Sequence, residues 1–210
     1  MGDMDCIIGV DFDNTIVSYD DLLHRVAVQR GLIHSDVSKS KKKIRDRIRK
    51  LPGGEIEWQK LQALIYGPRM GEARLIEGVP RFFKLCKQHG VVVYIISHKT
   101  EYANFDETGI SLREAALGWM AKNKFFEPNG LGLSRENVYF GSTRREKIEH
   151  IRQLGCTYFI DDLEEMFLED SFPLNIEKIL YAPHAQHSPL PGVHVITSWE
   201  KISDYFFDTS

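Results

Sequence analysis

CIIGVDFDNT, residues 6–15, is the stretch on which the reading of this chain turns. Cys6 to Val10 is a short apolar run that gives way to Asp11, Asp13 and Asn14, the pattern of a buried strand opening into a loop. Further apolar runs follow at Val91–Ile96 (VVVYII), Asn137–Phe140, Thr157–Ile160, Lys178–Tyr181 and Val193–Ile196. Helical periodicity fills the intervals Gly78–His89, Leu112–Lys122 and Arg144–Leu154. Strands that are apolar almost throughout, alternating with helices, predict a parallel sheet covered on both faces. The expected fold class is therefore α/β, a doubly wound parallel sheet.

One segment breaks the alternation. From about Asp20 to Glu77 there is no convincing strand, and the chain reads as three helices: Asp21–Arg30, Ser38–Leu51 stopped by Pro52-Gly53-Gly54, and Glu55–Tyr66 stopped by Gly67-Pro68. Residues 20–77 are thus expected to form a small inserted helical unit, with 1–19 and 78–210 making the α/β core. Trp58, Leu61, Leu64 and Ile65 have the spacing of that unit's own core.

At 210 residues the chain suits one α/β core with a modest insertion rather than a string of modules. Its longest apolar run falls far below the roughly 20 residues that a bilayer-crossing helix needs, and residues 1–6 (MGDMDC) lack an export signal's basic and apolar regions. A cytoplasmic protein without membrane attachment is expected. Cys6, Cys86 and Cys156 are far apart and set in apolar sequence, which reads as reduced thiols rather than a disulfide framework or zinc site. A formal net charge of −3 gives no overall attraction to nucleic acid. The one basic run, SKSKKKIRDRIRK (Ser38–Lys50), carries Lys39, Lys41–Lys43, Arg45, Arg47, Arg49 and Lys50 without interleaved aromatics for base stacking. A solvated helix face is the reading, and nucleic acid is not an expected partner.

Chemistry concentrates at strand ends. Residues i and i+2 of extended backbone share a face, so Asp11 and Asp13 can address one crevice while Phe12 packs away from it. The carboxyl ends of parallel strands are where open α/β sheets place their ligands. Carboxylates this close repel unless a cation intervenes, and a hard, oxygen-seeking ion such as Mg2+ suits them. A second pair, Asp161-Asp162, closes the run TYFI, with Glu165 within the next turn. VVVYII ends in Ser97-His98-Lys99-Thr100, a hydroxyl, amides and a cation suited to an anionic oxygen. Lys147 opens an amphipathic helix from which an ammonium can reach the same crevice, although Arg144 and Arg145 crowd that helix start as well.

DFDNT (Asp11–Thr15), Ser97, Lys147 and IDD (Ile160–Asp162) resemble, in order, the four motifs of the haloacid dehalogenase (HAD) superfamily of hydrolases. The motifs spread over most of the chain, and the insertion falls between the first and second, where that superfamily carries a type 1 cap over a Rossmann-like core. The resemblance implies a Mg2+-dependent phosphatase acting on a small phosphorylated substrate, a sugar phosphate or nucleotide. Asp11 would attack phosphorus to form an aspartyl-phosphate, and Asp13 would protonate the leaving alcohol and then activate water. Ser97 and Lys147 would hold and neutralise the phosphoryl group, beside Asn14, Thr15, His98 and Lys99 as further substrate-binding candidates. The implied metal set is Asp11, the main-chain carbonyl of Asp13, and Asp161, with Asp162 or Glu165 either direct or behind it. An acid at position 13, which true dehalogenases of the superfamily lack, favours phosphoryl transfer. Two other readings stand beside this one: a polynucleotide-end phosphatase using the basic helix, and a noncatalytic phosphate-ligand binder. His184, His187 and His194 read as polar loop and strand residues rather than metal ligands. Arg69, Arg74 and the Tyr102–Gly109 loop are weaker candidates for lining a substrate pocket.

Overall fold

The computed structural model describes residues 6–105, 108–183 and 190–208. His184, His187, residues 1–5 of the N-terminus and two positions of the Tyr102–Gly109 loop lie outside the described residues. The chain runs β1 (Ile7–Val10), β2 (Val17–Ser18), α1 (Asp20–Gln29), α2 (Lys41–Ile48), α3 (Gly54–Tyr66), β3 (Arg74–Leu75), α4 (Val79–Gln88), β4 (Val92–His98) and α5 (Leu112–Lys122). It continues through β5 (Val138–Gly141), α6 (Arg144–Gln153), β6 (Tyr158–Asp161), α7 (Glu164–Phe167), β7 (Glu177–Tyr181), β8 (Val193–Ile196) and α8 (Trp199–Phe207).

Six strands form one parallel sheet in the order β5-β4-β1-β6-β7-β8. From β1 the chain steps outward to β4 and β5, then returns across β1 to lay down β6, β7 and β8. The winding therefore reverses at β1, between β4 and β6, and in such sheets the crevice beyond the carboxyl ends at the reversal is the ligand site. Val10 pairs with Ile95 on one side and Ile160 on the other, so Asp11, Ile96 and Asp161 come out at one level. Gly9 permits this close stacking: a Cβ there would lie 2.6 Å from the Phe159 ring. One face of the sheet packs Ile148 and Ile151 of α6 against Ile96 and Phe159. Elsewhere in the core, Phe82 of α4 meets Trp199 of α8 at 5.0 Å between centroids.

Strand β4 runs beyond its apolar sequence. VVVYII predicts a strand ending at Ile96, yet β4 continues through Ser97 and His98 because β5 offers Phe140 and Gly141 as ladder partners. Helix α2 is shorter than Ser38–Leu51. Leu51 precedes Pro52 and is driven out of helical geometry, and Lys50 and Leu51 close with i to i−3 bonds to Arg47 and Ile48. The segment read as strand-free also holds β3, a two-residue strand paired to β2. Helix α8 lacks a counterpart in the sequence reading, although Ser198 caps it by accepting from the Lys201 amide at 3.3 Å.

The chain divides into two compact units: Met1–Ile16, Leu75–Lys99 and Lys124–Ser210, and Val17–Arg74 with Thr100–Asn123. The helical unit is thus larger than residues 20–77, because α5 joins it. Trp119 of α5 is buried and donates its indole N–H to the Ala73 carbonyl at 2.9 Å, a bond between distant parts of the sequence that α5's periodicity does not reveal. Within this unit Ile44, Ile48, Trp58, Leu61 and Ile65 are buried. Several cations of the basic run sit on carboxylates: Lys39 on Asp21 at 2.6 Å, Arg45 on Asp46 at 3.0 Å and Arg49 on Glu55 at 2.6 Å. Arg69 and Arg74 likewise lie 2.6 Å from Glu72 and Asp21. Phe105 and Thr108 line a small cavity with Arg30 and Lys60.

All three cysteines are free. Burial pushes the Cys86 and Cys156 thiols up to about 12, which keeps them protonated and unreactive. No helix among the described residues is long and apolar enough to cross a membrane.

Candidate active site

Asp11 is the first residue after β1. Its amide donates to the Ile160 carbonyl at 2.8 Å, so the backbone that carries the carboxylate is fastened to β6. Asp161 ends β6, is fully buried, and accepts at Oδ1 from the Leu163 amide at 2.9 Å. Neighbouring strands in this register bring the two acids together. Asp11, Asp161 and Asp162 each offer a carboxylate oxygen within 4.8 Å of the others. Glu165 is exposed and outside this group. The Asp162 carboxylate also accepts from the buried Thr15 hydroxyl at 3.3 Å, and Thr15 is itself held where the Trp199 indole donates to its carbonyl at 2.9 Å.

Lys147 lies between the acids. Its Nζ donates to Asp11 Oδ1 at 2.5 Å and to Asp161 Oδ2 at 2.7 Å, and the residue is 2% exposed. The reach follows from how α6 begins. Thr143 accepts from the Glu146 amide at 3.1 Å while the Glu146 carboxylate accepts from the Ser142 amide at 2.8 Å, a reciprocal cap that fixes the first turn. The T-x-x-E spacing of Thr143 and Glu146 carries that signal, and the motif reading passed over it. Arg144 and Arg145, the rival cations, are exposed, and Arg144 pairs with Glu169. Gly141 completes the support, since a Cβ there would lie 2.7 Å from the Lys147 amide nitrogen. Gly141→Ala should therefore destabilise the protein by about 1–3 kcal/mol through overpacking. Urea denaturation checks this, with Gly155→Ala, where an added Cβ meets open space, as a control limited to its positive φ.

The end of β4 supplies the other polar groups. Ser97 is 1% exposed, and its hydroxyl has no hydrogen-bond partner, an uncommon state for a buried polar atom. Lys99 is 4% exposed, with its amide bonded to the Gly141 carbonyl at 2.9 Å and its Nζ 2.9 Å from an Asp13 carboxylate oxygen. His98 points elsewhere: it is exposed, and its Nε2 lies 3.1 Å from the Ser142 carbonyl. Asn14 takes a left-handed turn (φ 62°), a conformation asparagine tolerates better than most residues. Of the sequence candidates, the structure thus gathers Asp11, Asp161, Asp162, Lys147 and Thr15 into one connected group. Asp13 and Lys99 form a second pair, and His98 and Glu165 stand apart. His194 lies 3.4 Å from Glu177 and is not in the group formed by Asp11, Asp161 and Asp162.

No protein-family model matches the sequence, and no curated protein matches it. Solved structures do match over nearly the whole chain. A HAD hydrolase of family IA, variant 3, from Entamoeba histolytica superposes with a TM-score of 0.57 at 11% identity, covering 94% of this chain and 95% of that one. A HAD-superfamily hydrolase of subfamily IA, variant 1, from Geobacter sulfurreducens gives 0.57 at 12% identity, covering 95% of each chain. The chain shares the fold of these two structures. CbbY from Rhodobacter sphaeroides, solved in complex with phosphate, matches with a TM-score of 0.54 at 14% identity, covering 95% of this chain and 96% of that one.

On this scaffold the electrostatics of the crevice are unbalanced. Four carboxylates, on Asp11, Asp13, Asp161 and Asp162, share it with two ammonium groups, on Lys99 and Lys147. Burial pushes the Asp11 carboxyl up to about 7; Lys147 opposes the rise, and the charges of Asp161 and Asp13 add to it. Burial alone would lower the Lys147 pKa, but Asp11 and Asp161 outweigh it and raise the ammonium above the ordinary lysine range. Lys147 is therefore a permanent cation. The two formal negative charges left over, an all-oxygen donor set and the unpartnered Ser97 hydroxyl together fit a divalent cation accompanied by an anionic oxygen ligand. Asp11, Asp161 and Asp162 are the side chains that would hold the cation.

Proposed function

We propose that this chain is a Mg2+-dependent phosphatase that hydrolyses the monoester of a small phosphorylated metabolite through an aspartyl-phosphate on Asp11, with the helical unit acting as its cap. The observation that carries the reading is the single group formed by buried Asp11, Asp161 and Lys147 with half-buried Asp162, beside the partnerless Ser97 hydroxyl. The phosphate bound to the structurally similar CbbY supports the same class of ligand.

In this reading Ser97 donates to a non-bridging phosphoryl oxygen, satisfying its buried hydroxyl. Lys147 neutralises charge on Asp11 and on the group in transfer, and holds the Asp11 carboxylate in one orientation. Asp11 attacks phosphorus opposite the ester oxygen. Asp13, protonated on one carboxylate oxygen before this step, gives that proton to the ester oxygen as the P–O bond breaks, and afterwards takes one from the water that hydrolyses the acyl phosphate. A bound Mg2+ would supply charge neutralisation to the phosphoryl oxygens and the surrounding carboxylates. The cations of the basic run that sit on carboxylates give the polynucleotide reading no support.

The test is a phosphate-release screen over sugar phosphates, nucleotides, amino-acid phosphates and 5′- or 3′-phosphorylated oligonucleotides, with Mg2+ and with EDTA. Turnover of a small ester that EDTA abolishes is expected. Tight ligand binding without turnover across the panel would favour the noncatalytic binder instead.

A further inference from the structure

We infer that Lys99 is a positioning residue for Asp13, holding the proton-donating carboxylate in place rather than binding the phosphoryl group. The inference rests on the phosphatase reading above. Lys99 Nζ lies 2.9 Å from one Asp13 carboxylate oxygen and 3.1 Å from the other, so one ammonium spans both. That geometry fixes the plane of the carboxylate as well as its position. The exposures are unequal: 3% for the Lys99 side chain and 22% for that of Asp13. An entering ester meets the acid first, and the lysine supports it from within. The Lys99 stem is anchored too, through its amide bond to the Gly141 carbonyl and the ladder that pairs Ser97 and His98 with Phe140 and Gly141. Its ammonium is 5.7 Å from the Phe12 ring centroid, so the strand-end loop carrying both acids of the first motif is tied to β4. A buried ammonium is strongly penalised unless an opposite charge compensates it, and ionised Asp13 provides that charge before it takes up the proton it delivers. The two buried lysines thus serve different acids: Lys147 the nucleophile, Lys99 the proton donor.

Proton transfer to the leaving oxygen matters most when the departing alcohol is a poor leaving group. Misplacing Asp13 must therefore damage turnover of a reluctant ester far more than of an activated one. Losing a phosphate ligand would damage both alike. We compare kcat/KM for phenyl phosphate and 2,4-dinitrophenyl phosphate with Mg2+ in wild type, Lys99→Met, Lys99→Arg and Asp13→Asn. Lys99→Met should fall about 100-fold on phenyl phosphate and roughly tenfold less on the dinitrophenyl ester, with Lys99→Arg recovering part of the loss. Asp13→Asn should show the same selectivity, more strongly. If Asp13→Asn is selective and Lys99→Met loses both esters equally, the inference falls and the phosphatase reading stands. If wild type turns over neither ester, or Asp13→Asn is not selective, the role of Asp13 falls and the inference with it.

Discussion

Asp11→Asn should reduce Mg2+-dependent phosphate release by on the order of 10^4-fold or more, the scale at which an enzyme loses its covalent nucleophile. An amide at this position keeps the shape of the side chain but cannot form the acyl phosphate. The variant should nevertheless fold. Asp11 is one of four carboxylates facing two ammonium groups, and neutralising it relieves a crowded negative site while Lys147 keeps Asp161 as a partner at 2.7 Å. Unfolding by urea in EDTA should therefore show no loss of stability in Asp11→Asn, separating a catalytic defect from a folding one. A variant that is inactive because it is unfolded would not bear on the claim. A folded variant retaining a tenth of wild-type turnover would remove Asp11 from the chemistry.

Lys147→Met should have the largest effect on stability. Its ammonium holds two buried carboxylates together, and removing one partner of such a pair typically costs about 3–5 kcal/mol because the remaining charge is left uncompensated in the interior. The loss should be greatest in EDTA. Adding Mg2+ should recover more stability in Lys147→Met than in wild type, since the variant site has one more negative charge for a cation to neutralise. Thermal melts across a Mg2+ titration check this. A melting temperature unchanged by the substitution, or a Mg2+ response smaller than that of wild type, would contradict the assignment of Lys147 as the cation that balances this site.

Much of the site was legible because its acids lie at the ends of strands whose apolar sequence is unmistakable. Val10 and Ile160 are register partners, and that alone makes Asp11 and Asp161 neighbours. Lys147 was legible as one of three cations at a helix start, chosen over Arg144 and Arg145 by the motif order of the resemblance; the Thr143–Glu146 cap that fixes this helix start was passed over. The bond from Lys99 to Asp13 was not legible. The two residues are far apart in sequence, and a lysine two positions beyond a serine proposed to bind phosphate reads equally well as a second phosphate ligand. The place of α5 was obscured for a similar reason: its pattern predicts a helix, while its attachment rests on long-range links such as the indole bond from Trp119 to a carbonyl 46 residues earlier and the bond from Lys122 to the Gly71 carbonyl. Helix α8 went unread although WEKISDYFF places Trp199 and Ile202 one turn apart, both buried, directly behind the Ser198 cap.

The most direct measurement is to locate the phosphoryl group during turnover. Wild-type protein is mixed with 2,4-dinitrophenyl phosphate and Mg2+, quenched in acid, and treated with borohydride, which reduces an aspartyl-phosphate to homoserine. Peptide mass spectrometry then reads position 11. The account predicts homoserine in place of Asp11, dependent on both substrate and Mg2+. Steady phosphate release with position 11 unmodified and an acyl phosphate trapped at another residue would contradict it.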